Sequence, residues 1–127
     1  MKALIVSAAS IVIVIVSWWI FVGYADNNIH ELTSMIEDDI LESVYSEDWG
    51  KAGMQIEDLT DKWHHQKKIY TFFFNTSAVM DTDYSIAKAK QYIKANDLAL
   101  ASGELGCIKE QLGFLHLNEL ITLDNIF

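Results

Sequence analysis

The stretch SIVIVIVSWWIFVGYAD, residues 10–26, decides where this chain sits and how the rest of it is built. It belongs to a longer run. From Ala3 to Ala25 there is no charged residue and no proline, and only Ser7, Ser10, Ser17 and Gly23 interrupt the apolar side chains. As a helix this run is about 30–35 Å long, enough for the hydrocarbon core of a bilayer. A helix at a protein surface pairs an apolar stripe with a polar face, and this run has no polar face. The β-branched IVIVIV would suit a strand in water, but a lone strand in lipid leaves its backbone groups unpaired, so a helix is expected. Trp18, Trp19 and Tyr24 lie near its far end, where amphipathic rings prefer the headgroup level.

The flanks orient the segment. The α-amino group and Lys2 lie before it, whereas the chain after it begins with Asp26 and Glu31 and reaches its next lysine only at Lys51. The positive-inside rule places the N-terminus in the cytoplasm and the rest outside. Gly23-Tyr24-Ala25 is a small-x-small triplet that signal peptidase could read, and a cut after Ala25 would give a secreted protein. Signal peptides have apolar regions of about 7–15 residues, however, and this run is longer. Bulky Trp18, Trp19 and Phe21 also crowd the approach to that cut. The segment therefore reads as a retained, single-pass signal anchor, residues 1–25, contacting the bilayer through residues 3–25.

Residues 26–127 make one small domain. All nine basic residues of the chain are lysines, and eight of them face 18 acids in this part, a formal charge of 8 − 18 = −10. Nucleic acid needs a basic footprint and is excluded as a partner; the acid reads as solubility. Cys107 is alone, so no intramolecular disulfide forms and a buried thiol is expected.

The absence of proline suggests long helices, and periodicity supplies them. Ile29, Leu32, Ile36, Ile40 and Val44 recur at steps of three and four. Trp49, Ala52, Ile56, Leu59, Trp63, Gln66, Tyr70 and Phe73 do the same, broken only by Gln66. The break between these helices falls at 45–47, with Ser46 as the expected N-cap. Gly50 and Gly53 are expected to admit a neighbouring backbone. A third helix follows the polar Asn75-Thr76-Ser77, capped by Asp81, Thr82 or Asp83, with Ile86, Ala89 and Ile93 inside. After Asn96-Asp97 a fourth carries Leu98, Ala101, Leu105, Ile108, Leu112 and Leu115. The fold class is all-α: an N-terminal transmembrane helix followed by antiparallel helical hairpins forming a four-helix bundle.

Several features together resemble a known family: the N-terminal anchor, Glu47-Asp48-Trp49, Trp63 with Lys67-Lys68, Ser85-Ile86-Ala87 before Tyr92-Ile93-Lys94, and the ending Leu123-Asp124-Asn125-Ile126-Phe127. They are similar to domain-of-unknown-function family four-three-six-three, small N-terminally anchored helical proteins of clostridium-like Gram-positive bacteria. The resemblance covers essentially the whole chain, and Asn125-Ile126-Phe127 is its most specific piece. Because that family has no assigned activity, the resemblance implies architecture and a Gram-positive membrane rather than a mechanism.

Chemistry is sparse. Asp61, His64 and His65 lie on the polar face of the second helix and are the best metal candidates, but no cysteine or second acid–histidine pair completes a site, so no metal or other cofactor is expected. Asp81, Asp83 and Ser85 mimic the start of a calcium loop, yet Ile86 occupies the glycine place and Tyr92 the bidentate glutamate place. No nucleophile elbow or phosphate cradle is present, and the chain is not expected to be an enzyme. Trp49, Trp63 and the adjacent Phe72, Phe73 and Phe74 read as packing or interaction residues, and three neighbouring rings cannot all face inward. Asn125, Ile126 and Phe127 end an apolar tail expected to pack back near that triplet. Two functions remain open: a membrane-tethered interaction or scaffold module, self-associating or bound to a membrane-protein partner, and an extracytoplasmic ligand- or metal-sensing bundle.

Overall fold

The computed structural model describes the backbone of residues 1–73 and 76–126, with side chains for all of these except 22, 25, 26, 72, 73 and 116–126. Every element among the described residues is helical: α1 (Lys2–Ser34), a π-helical turn (Met35–Ile40), α2 (Leu41–Tyr45), α3 (Trp49–Phe73), α4 (Thr76–Lys94) and α5 (Leu98–Ile126). Helix α1 joins the apolar segment directly to the first core helix. Its 33 residues run through residues 25 and 26 without a break, so the expected boundary between anchor and domain falls inside one continuous helix.

The π turn answers a problem of period. From Leu32 onward the core residues Ile36, Ile40 and Val44 follow at uniform steps of four. Four residues overshoot a 3.6-residue turn, so each such step drifts about 40° around an α-helix. The wider i→i+5 turn, closed by the Leu41 N–H on the Ile36 carbonyl, offsets that drift. Ile36, Ile40 and Val44 all finish fully buried.

Both of the described interhelical turns are built alike. At the first, the Glu47 N–H bonds the Val44 carbonyl and the Asp48 N–H bonds Ser43; at the second, Asn96 bonds Ile93 and Asp97 bonds Tyr92. These are Schellman closures, with the left-handed position filled by Glu47 (φ 57°) and Asn96 (φ 54°) rather than glycine. The aspartate that ends each turn then caps the next helix: Asp48 accepts from the Lys51 N–H at 3.3 Å and Asp97 from Leu100 at 2.9 Å. The cap of α3 is thus Asp48, not Ser46, because Ser46 is still consumed in closing the preceding helix. Helix α4 begins at Thr76, so Asp81, Thr82 and Asp83 are interior helical residues and neither cap it nor form a calcium loop.

The helices assemble as antiparallel neighbours, with α4 packed most extensively against α5 and then α3, and α1 against α5 and α3. The core contains Ile29 to Val44 along α1, the π turn and α2, Ala52, Ile56, Leu59, Trp63 and Tyr70 on α3, Val79 beside the expected Ile86, Ala89 and Ile93 on α4, and Ala101, Leu105, Ile108, Leu112 and Leu115 on α5. Leu98, expected on the inner face of α5, is exposed at its first turn. Two further expectations fail. A Cβ built on Gly50 or Gly53 meets nothing within 4 Å, so these glycines admit no neighbouring backbone. Cys107 is exposed, not buried, because it lies on the side of α5 away from Leu105, Ile108 and Leu112.

Candidate functional site

Two regions stand out. The first is the apolar part of α1. Lys2–Phe21 is long and apolar enough to cross a membrane, and none of its side chains is buried by the rest of the molecule. At its far end the sides differ: Trp19 and Ile20 are 75% and 68% exposed, whereas Trp18 and Phe21 are half-buried. Phe21 packs against the bundle core, and the Trp18 and Phe21 rings lie 6.0 Å apart.

The second is a polar node centred on Asp83 of α4. Trp63, His64 and Lys67 occupy adjacent and one-turn positions on α3, which aims all three across the same helix pair. The Trp63 indole N–H donates to Asp83 Oδ1 at 3.1 Å, and Lys67 Nζ donates to Oδ2 at 3.2 Å. His64 Nε2 lies 3.5 Å from Oδ1. Both carboxylate oxygens are engaged, which suits a clamp between α3 and α4 rather than a free base. Trp63 is fully buried, so its N–H needs this partner. The sequence hid the node because Asp83 read as a helix cap, and only the pairing of two distant segments gives it a role.

Around the node, Gln66 is the buried polar interruption of the α3 seam, and its Oε1 accepts from the Tyr70 hydroxyl at 3.3 Å. The Trp63 and Tyr70 rings lie 5.9 Å apart. Asp61 and His65 are exposed, while His64 is drawn toward Asp83. Among the described residues no three His, Cys, Asp or Glu side chains gather to hold a metal ion. Trp49 is half-buried against the core. The side chains of Phe72, Phe73, Asn125 and Ile126, and all of Phe74 and Phe127, lie outside the described residues.

Glu37 of the π turn has a structural task as well. Glu37 pairs with Lys109 of α5, and the Glu37 carboxylate, by its hydrogen bond and charge, holds the Lys109 ammonium above its ordinary 10.5. A groove of about 250 Å³ opens between α4 and α5, lined by Ala78, Asp81, Glu110, Gln111 and Phe114. Among the described residues, Gln111 Oε1 is buried there without a hydrogen-bond partner.

No curated protein matches the chain, and neither does any solved structure. The family described as domain of unknown function (DUF4363) matches residues 20–126, from the aromatic end of the apolar segment to the last turn of α5. That match spans most of the chain and its whole helical bundle, and the chain belongs to the DUF4363 family.

Proposed function

We propose that the protein is a single-pass membrane protein that displays a non-catalytic interaction module outside the cell, with its N-terminus in the cytoplasm. The observation that carries this reading is the unbroken course of α1 from an exposed apolar segment into the bundle core. Retention of the segment is favoured by Phe21, which packs on the core; a cut after Ala25 would remove it. Engagement of both Asp83 oxygens by Trp63 and Lys67 favours a structural clamp over a general base at that position. Fractionation of the source cells tests the reading. The full-length chain is expected in the membrane fraction, resistant to alkaline extraction, with residues beyond 26 digested by protease added to intact cells. A soluble chain beginning at Asp26 would sink it.

A ligand-sensing bundle is the second reading, and the α4–α5 groove is the feature that favours it. Its acceptor-rich lining, two carboxylates and an undonated amide oxygen beside the Phe114 ring, suits a small organic ammonium ion. A ligand that binds only the native state raises the melting temperature. A rise with a diamine, calcium or zinc supports sensing; unchanged melts, together with co-purification of a membrane partner, support the interaction module.

A further inference from the structure

The bundle has a foot, and the structure fixes its height against the apolar helix. Lys62 Nζ of α3 pairs with Glu31 Oε1 of α1 at 2.5 Å, which sets these two antiparallel helices in register. Below Lys62, α3 continues for 73 − 62 = 11 residues, about 16 Å. The same descent along α1 from Glu31 arrives at 31 − 11 = 20, Ile20, inside the apolar span Lys2–Phe21. Helix α4 is tied to α3 by Lys67–Asp83 and Lys90–Glu57, at 3.2 and 3.0 Å, and to α5 by Lys88–Glu104 at 3.7 Å. The end of α3, the start of α4 and the lower part of α5 therefore lie at one end of the bundle. The burial of α1 agrees independently. Protein covers Trp18 and Phe21 on one side, while Trp19 and Ile20 remain exposed on the other.

Helix α1 contains no loop between the span and the core, so the bundle has no linker on which to swing away. Twenty residues, Lys2–Phe21, make about 30 Å of helix, the thickness of a hydrocarbon core. If they span it, Trp18 and Phe21 stand at its outer boundary and the foot stands with them. The described side chains there suit that layer. Met80 and Phe114 are 46% and 54% exposed although apolar. The Lys67–Asp83 and Lys90–Glu57 pairs bring Met80 level with the exposed Lys68 of α3, with His65 about one turn higher, and the exposed acids Asp81 and Glu110 line the same groove as Phe114. Apolar, cationic and acidic side chains mixed at one level suit the zwitterionic headgroup layer rather than the acyl region.

We infer that the foot of the bundle is seated in the headgroup layer of the outer leaflet, with Met80, Phe114 and Lys68 together at the level of the lipid phosphates. The inference rests on the anchored reading above. It makes the bilayer surface itself a partner of the folded domain, beyond the anchor, and fixes the orientation in which the distal end is presented.

Depth-dependent quenching tests it on the full chain. In a Cys107→Ser background, single cysteines replace Trp19, Met80, Phe114 or Met54, all exposed positions, and each carries a bimane label. The proteins are reconstituted into phosphatidylcholine vesicles containing headgroup-spin-labelled phosphatidylcholine. Met54 lies 73 − 54 = 19 residues above the end of α3, about 28 Å, beyond the reach of the quencher. Labels at Trp19, Met80 and Phe114 are expected to lose roughly half their emission, and the label at Met54 none. Quenching at Trp19 with Met80 and Phe114 as bright as Met54 overturns the seating and leaves the anchor intact. An unquenched Trp19 label overturns the anchored reading, and the seating with it.

Discussion

Trp63 shows how one side chain serves two kinds of bond. Its ring is fully buried, and its N–H reaches Asp83 across the α3–α4 interface. Trp63→Ala should cost about 3–5 kcal/mol, the usual penalty for emptying a large core site. Trp63→Phe retains most of the ring but leaves Asp83 without that donor, and should cost about 1–3 kcal/mol. Chemical denaturation of the full chain in detergent measures both; equal losses for the two variants would place the whole effect in the hydrogen bond. Lys109 makes a prediction about pH. Its folded pKa is raised by Glu37, so the pair stabilises the fold while lysine is protonated, below 10.5, and this contribution is lost as pH rises through the folded value. The stability difference between wild type and Glu37→Gln should therefore be constant below 10.5 and shrink as pH rises above it. A difference constant over that range would show that the pair contributes nothing electrostatic.

At the scale of the element, glycines and turns have exchanged their usual places. None of the six glycines has a positive φ, and a Cβ on any of them meets nothing within 4 Å. Among the described residues, the two left-handed turn positions are held instead by Glu47 and Asn96. Glycine inside a helix costs about 0.5–1 kcal/mol relative to alanine because the unfolded chain is freer. Gly53→Ala and Gly103→Ala should each raise stability by about 0.4–1 kcal/mol, read from denaturation midpoints. A loss in either would mean that a partner's backbone comes close at that position. The acidic residues in the turns do more than solubilise, since Asp48 and Asp97 each close one helix and cap the next.

At the scale of the whole molecule, the continuity of α1 makes the apolar segment and the bundle mechanically one body, and among the described residues the buried core runs from Ile29 onward and draws on all five helices. Residues 26–127 are of ordinary domain size and are expected to fold alone. Circular dichroism of that fragment should be strongly helical, with a melting temperature below that of the full chain because Phe21 no longer covers its part of the core. A random-coil spectrum would show that the bundle needs the anchor to form.

The sequence by itself determined the local choices. A charge-free run longer than a signal peptide core declares a membrane-length helix. Apolar residues at steps of three and four name the buried faces, since helical period and burial are both set along one chain. Asn96-Asp97 and the break at 45–47 were legible for the same reason, although the absence of glycine concealed the Schellman closure and moved the expected cap from Asp48 to Ser46. Only the tertiary structure decided what depends on two segments meeting. It turned Asp83 from an expected cap into the clamp on Trp63 and Lys67, drew His64 away from a metal-like pairing, and exposed Cys107. It also showed that α1 runs unbroken from the apolar segment into the core, and it set the register between helices, which ion pairs and packing across the bundle fix and which no spacing within a single helix encodes.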